Sequence, residues 1–277
     1  MGKNNSQSAS TNQTKAPVLH YVIVLICSIA TAILMVLGAT SMWVNNISDG
    51  DLDNPTEPKS VKLYTATTTS DNNDANRQTN IALACAKLNG VKIAPNETFS
   101  INNVLGNIAD NNEFLVAPAI QENVSPSERG GGVSQVVSTF YHAAACVGMR
   151  IDEHHAHALA IDFTPLGFDA MVSYGTLDLK VTNTNSKQMF IEAEASGSTV
   201  TVSIIGEDDS RKTTYALSSN VTDSYLKNVL GAERLYYTIT TSRLKYENGV
   251  YVSSETIDSN TYEAVDVAFT VSPISGA

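Results

Sequence analysis

Three consecutive glycines, Gly130, Gly131 and Gly132, run directly into the apolar series Val133, Val136, Val137, Phe140, Ala144 and Val147. A residue without Cβ takes φ > 0 freely and lets other groups come close, so this is a bend where the chain can pass near itself. The apolar residues behind it recur at three- and four-residue steps, which puts them on one helical face. Gly148 follows where a left-handed C-terminal cap is expected. The spacing predicts a buried helix entered through a tight turn, with Ser134 in its first turn. Unpaired N–H groups and the helix dipole favour negative charge at that spot. A hydroxyl there, with Glu153, His154, His155 and His157 on the next element, is an arrangement that nucleophilic catalysis uses. Serine is equally a common capping residue, so the pattern leaves both roles open.

A second constraint lies upstream. Val18 to Val44 contains no Asp, Glu, Lys or Arg. A bilayer span needs about 20 apolar residues, whereas a signal-peptide core has roughly 7–15. Tyr21 and Trp43 stand near its two ends, Lys3 and Lys15 precede it, and Asp49, Asp51 and Asp53 follow. Aromatic residues favour the interface and basic ones the cytoplasmic side. The expectation is a single-pass protein of the cell membrane, with its amino terminus in the cytoplasm and its bulk outside. It divides into a disordered tail (1–17), an anchor (18–44), a linker (45–61), a central domain (62–206) and a β-rich extension (207–277).

The net charge of −11 argues against nucleic acid as a partner, because phosphate contacts need clustered Lys and Arg. Cys27 falls in the apolar span, and Cys85 and Cys146 sit among alanines like small buried hydrophobes. No CxxC pair is present, which argues against a cysteine zinc ribbon. His142, His154, His155 and His157 with Glu153 are an alternative zinc set, but their spacing is not a zinc signature. No metal and no cofactor are expected.

Along the chain, Val61 to Tyr64 reads as a strand. Ile81, Cys85 and Leu88 mark a helix that ends at Gly90, and Pro95-Asn96 is a turn between short strands. After the glycine-led helix the pattern turns β: 158–163, 169–174, 177–181, 189–193 and 199–204, with further strands to the end and a hairpin at Asn248-Gly249. His155 and His157 on one strand would face the same side. The fold class is α+β, a central buried helix on a mainly antiparallel sheet with a small β extension.

One ordered set of motifs resembles the VanW family of bacterial envelope proteins. It comprises Arg77, Asn80-Ile81, Asn89-Gly90-Val91, Ala94-Pro95, Phe99-Ser100, the run Gly130 to Tyr141, His155-Ala156-His157, and Pro165-Leu166-Gly167-Phe168-Asp169-Ala170. The resemblance covers about residues 63–206. It implies a place in a Gram-positive-type envelope, with peptidoglycan or a D-Ala-terminated cell-wall peptide as partner and a link to glycopeptide resistance. The family usually carries cysteine where this chain has Ser134. Cysteine, then histidine, then an acidic residue is similar to the order in papain-like and transglutaminase-like enzymes. That assigns Ser134, His157 and Asp169 as the catalytic candidates. Gly130, Gly131, Gly132, Gln135, Ser138 and His155 are the ligand-binding candidates. A hydroxyl is far less acidic than a thiol, so a binding role for the site is preferred to acyl transfer or hydrolysis. A non-catalytic protein scaffold is the third reading.

Overall fold

The computed structural model describes residues 60–118, 127–207 and 212–264. The expected anchor 18–44, the tail before it and nearly all of the linker lie outside these residues. Among the described residues no helix is long and apolar enough to cross a membrane. Pro58–Ala277 form one compact unit.

The fold is α+β. Strand β1 (Ser60–Thr69) leads to helix α1 (Ala75–Leu88), then to the short strands β2 (Lys92–Ile93) and β3 (Thr98–Ser100). Helix α2 (Ile101–Leu105) and the β4–β5 hairpin (Val116–Pro118, Ser127–Arg129) precede the central helix α3 (Val133–Cys146). Then come β6 (Arg150–Glu153), β7 (Lys180–Thr182), β8 (Met189–Ser196) and β9 (Thr199–Glu207). Three long strands close the chain: β10 (Thr213–Val229), β11 (Ala232–Glu247) and β12 (Val250–Glu263). The expected single sheet is divided. One sheet has the order β1-β9-β8-β2, one β10-β11-β12, one β3-β7-β6, and β4 pairs with β5. Every ladder between these strands is antiparallel.

Local chemistry explains the helix ends. Asp74 caps α1, its carboxylate accepting from the Arg77 N–H at 2.8 Å. Beyond α3, Gly148 takes φ +85°. The Met149 N–H bonds the Ala144 carbonyl and the Gly148 N–H bonds that of Ala145, the paired closure that satisfies the last carbonyls of a helix. Of the α3 residues only Ser134 and His142 are not buried. They lie eight residues apart, so they share one partly covered face, with buried Ser138 between them. Val136, Val137 and Phe140 enter the main core beside Val200, Val202 and Ile204 of β9. Phe140 meets Phe99 edge-on, with centroids 5.2 Å apart. Burying a side chain of this size contributes about 1.5–3 kcal/mol.

The glycine run is a structural crossing. Gly132 is the N-cap of α3 at φ +99°, and the helix has no side-chain cap. A Cβ on Gly131 would stand 2.3 Å from the Ala117 carbonyl oxygen and 2.6 Å from that of Pro118. Gly131→Ala therefore forces the β4 backbone away from α3. The expected cost is about 3 kcal/mol or more, read as a lowered urea midpoint.

Two expected strands are absent. Residues 158–163 and 169–174 run as irregular chain, with single bridges at Leu159–Glu263 and Ser173–Leu177. Their alternating apolar residues are buried all the same. Ala160, Ile161, Phe163 and Leu166 form a second core with Ile239 of β11 and Tyr262 of β12. The long carboxyl-terminal strands thus fasten onto this loop and onto the main core, which takes in Leu217 of β10. Conversely, β1 runs past its expected end, because Thr67 and Thr69 hydrogen-bond the hydroxyls of Thr201 and Thr199. Cys85 and Cys146 are both free and buried. Burial pushes the Cys85 thiol up to about 12 and that of Cys146 to about 11.

Candidate functional site

The least buried face of α3 is covered by the loop that follows Phe168. Phe168 packs against His142, with ring centroids 5.0 Å apart. One turn nearer the amino end, Ser138 Oγ donates to the Ser134 carbonyl at 2.7 Å and accepts from the Ala170 N–H at 2.9 Å. One further turn along lies Ser134, where the loop parts from the helix and leaves a cleft of about 220 Å³. Ser134 and Val133 form its floor, together with Gly130. Asn107, Ile108 and Ala109 form one wall, Val172, Ser173 and Tyr174 another, and Glu128 and Arg129 stand at the end of β5. Ser134 is half-buried, and among the described residues no hydrogen bond holds its hydroxyl. As the second residue of α3 it lies in the first turn, where the helix dipole favours anionic groups.

Asp169 and His157 make a buried pair elsewhere on the same loop. Asp169 Oδ2 accepts from the His157 Nδ1 at 2.7 Å and from its backbone N–H at 2.8 Å. Asp169 Oδ1 accepts from the Tyr262 hydroxyl at 2.7 Å and from the Gly167 N–H at 3.2 Å. The carboxylate is fully buried. Burial alone would raise its pKa, but the hydrogen bonds and charge of His157, with the Tyr262 hydroxyl, outweigh it and hold Asp169 below the usual carboxylate range. Tyr262 is displaced the other way, raised first by burial and then by Asp169. Asp169 fixes the hydrogen on Nδ1 of His157, as the orienting acid of a catalytic triad does. His157 does not line the Ser134 cleft.

The remaining histidines have separate partners. His154 lies between the Asp258 carboxylate at 2.5 Å and the Asp169 carbonyl at 2.7 Å, stacked on Tyr141. His155 bonds Glu153 at 3.1 Å. His142 sits between Tyr64 and Phe168, and burial drives its pKa down to about 4. The expected common face for His155 and His157 is not found, because residues 154–157 form no strand. Among the described residues no group of His, Cys, Asp and Glu is arranged to hold a metal ion.

The other candidates are brought to α3 but serve its packing. Gln135 is fully buried. Its Nε2 donates to the carbonyls of Thr68 and Ser198, at 3.3 and 2.9 Å, and its Oε1 accepts from Arg77 Nη2 at 2.8 Å. Gly131 and Gly132 are buried against β4 and Arg77. Only Gly130 joins Ser134 in lining the cleft, and Ser138 holds the loop in place from beneath. Sequence reasoning missed Arg129, Glu128 and Tyr174. The first two directly precede the glycine run, which was the available signal. A second, more open cleft of about 450 Å³ adjoins the first at Tyr174, and Asn103, Glu153, Asp178 and Lys180 are among its walls. There the hydrogen bond from Lys180, followed by that from His155, brings the Glu153 carboxyl down to about 2.

Comparison with known proteins agrees with the motif order. A family model described as VanW like protein matches residues 76–205. A Bacillus subtilis (strain 168) protein, YoaR, described as uncharacterized, is 31% identical over 132 residues, which is 48% of this chain and 44% of that relative. The chain therefore spans less than half the length of this relative. No solved structure matches. The matched segment runs from the first turn of α1 into β9 and contains both Ser134 and the His157–Asp169 pair, so the likeness to the VanW like protein model rests on the part of the chain that holds them.

Proposed function

We propose that this is a membrane-anchored, extracytoplasmic binding protein of the bacterial cell envelope, whose Ser134 cleft takes the D-Ala end of a peptidoglycan peptide. The observation that carries the reading is that Ser134 faces a cleft with no imidazole in its walls. With Glu128 the lone carboxylate among the lining residues and no histidine there, we read Ser134 as a hydrogen-bonding group and not a nucleophile. The cleft chemistry suits a short peptide terminus. Arg129 and the first turn of α3 attract a carboxylate. Ile108, Ala109 and Val172 give methyl-sized apolar contact. Its volume, below the roughly 300 Å³ at which drug-sized sites begin, suits one or two small residues. The anchor at 18–44 keeps the domain on the outer face of the membrane, where such peptides are found, and a contribution to glycopeptide resistance belongs to the same reading.

Calorimetry of residues 58–277 with a panel of muropeptides and D-Ala-D-Ala peptides tests this. Saturable heat that disappears in Ser134→Tyr, which fills the cleft, supports it. A panel that gives no heat overturns it. The second reading, a serine acyl transferase or hydrolase, is favoured by the buried His157–Asp169 pair. Incubation with a fluorophosphonate separates the two, since labelling that Ser134→Ala abolishes requires an activated hydroxyl.

A further inference from the structure

The Ser134 cleft does not end at Tyr174. This side chain is 55% exposed and stands between two hollows, lining the cleft of about 220 Å³ on one side and that of about 450 Å³ on the other. The chain that carries it is a tight turn. The Ser173 N–H donates to the Leu177 carbonyl and the Leu177 N–H to the Ser173 carbonyl, both at 2.8 Å. Asn102 Nδ2 donates to the Leu177 carbonyl at 2.8 Å. Asp178 accepts from the Ser100 hydroxyl at 2.5 Å and from the Asn102 N–H at 3.0 Å. The turn is thereby fastened to α2, and a wall fixed in advance costs a ligand less to order.

The second cleft is built around an ion pair. Glu153 at the end of β6 stands opposite Lys180 at the start of β7, and Glu153 Oε2 accepts from the Lys180 ammonium at 2.7 Å. Glu153 Oε1 is taken up by the Asp178 N–H at 3.0 Å and by His155 Nε2 at 3.1 Å. Among the described residues Oε2 has Lys180 alone, so a lone pair is left over. Lys180 in turn has Glu153 alone, so two of its three hydrogens are left over. Both side chains line the cleft and are partly exposed, Glu153 at 29% and Lys180 at 43%. A cross-strand pair made only to hold a ladder needs no hollow in front of it. Here a cation with unused donors and an anion with an unused acceptor sit side by side in a concave wall. Asp178 adds a second carboxylate to the lining, so the balance there favours a ligand that brings an ammonium.

Adjacent anion and cation match a group that carries the opposite two charges on one carbon. The ammonium of an amino acid head meets Glu153 and its carboxylate meets Lys180, and both contacts are charge-assisted. A peptide whose D-Ala end lies in the Ser134 cleft, with its carboxylate toward Arg129, leads its preceding residue past Tyr174. We propose that the second cleft is the subsite for the side chain of that residue, and that it selects a diamino diacid such as diaminopimelate, whose side chain ends in both an ammonium and a carboxylate. This rests on the reading of the Ser134 cleft as a D-Ala site. Lysine in the same place offers the ammonium alone and norleucine neither charge, so the three form a graded series on one carbon stem.

The test is calorimetry of the full-length chain in detergent micelles. Three pentapeptides share a D-Ala-D-Ala end and differ only at the third residue, which is diaminopimelate, lysine or norleucine. Affinity is expected to fall about threefold at each step down that series, the worth of one partly exposed ion pair. Lys180→Met should remove the advantage of diaminopimelate over lysine, and Glu153→Gln that of lysine over norleucine. Each is read as a ratio between two peptides on one protein, so a loss of folded material cancels. Should a variant fail to fold, the series on the parent chain decides. Three peptides of equal affinity, or lysine bound more tightly than diaminopimelate, overturn the subsite and leave the D-Ala reading standing. Ratios that neither variant changes overturn it as well. Binding of none of the three sinks the D-Ala reading and the subsite with it.

Discussion

Asp169→Ala is expected to cost about 3–5 kcal/mol of stability, measured by urea unfolding of residues 58–277. The loss is large because this carboxylate is fully buried and accepts four hydrogen bonds, from His157 twice, Tyr262 and Gly167. Removing it leaves the His157 Nδ1–H and the His157 backbone N–H with no replacement partner, while the Gly167 N–H keeps the Tyr262 hydroxyl at 3.0 Å, and buried polar groups without partners are the expensive case. The same bonds join the loop at 157–169 to β12, so the variant should also loosen the carboxyl-terminal strands. A pH dependence follows from the sign of the shift. The folded pKa of Asp169 is held below its unfolded value, which is about 3.9. Its stabilisation is therefore complete above that unfolded value and is lost as pH falls through the lower folded one. Asp258, whose pKa is also lowered, by the His154 hydrogen bond against the raising effect of burial, acts in the same direction. In Asp169→Ala the acid slope should flatten but not vanish, because the Asp258 share remains.

Gln135→Leu should cost a comparable amount, about 3–5 kcal/mol. Arg77 is fully buried, its Nε and Nη1 have no partner among the described residues, and Gln135 Oε1 is the acceptor for its Nη2. Burial lowers the Arg77 pKa, with the charges of Asp162 and Asp74 acting against that. Leucine at 135 leaves a buried cation without a hydrogen bond and also removes the amide donor to the Thr68 and Ser198 carbonyls, of which Ser198 keeps the Ser70 N–H. The double variant Arg77→Met with Gln135→Leu removes the charge together with its partner. It should recover more than half of the loss, since an apolar pair of similar volume often replaces a buried ionic group with little penalty. Equal unfolding midpoints for the single and double variants would contradict this account of Gln135.

The parts of this fold legible in the sequence are those set by local chemistry. Gly90 after α1, the glycine run before α3, Gly148 after it and Asn248-Gly249 between β11 and β12 each fix a backbone conformation within a few residues. The division into separate sheets was not legible, because antiparallel pairing partners are chosen by contacts remote in sequence. Residues 158–163 show why alternation misled. Ile161 and Phe163 alternate like a strand, yet they face a core completed by Tyr262, about 100 residues downstream. At the cleft, the three glycines divide between lining and packing. Only Gly130 lines the cleft, while Gly131 and Gly132 let β4 and Arg77 approach α3. The pairing of His157 with Asp169 came from motif order, and the geometry gives it at 2.7 Å. Tyr262 as the third member was invisible, since nothing in its neighbourhood marks it.

The central claim is that Ser134 opens into a ligand cleft, and Ser134→Cys reads this at the residue itself. Cys85 and Cys146 are buried, so in residues 58–277 iodoacetamide should modify the new thiol alone. The account predicts that a saturating D-Ala-D-Ala-terminated peptide slows this alkylation about tenfold or more, as occupancy of a small site excludes the reagent. An alkylation rate that the peptide leaves unchanged, or a thiol at 134 that never reacts in the folded protein, would contradict it.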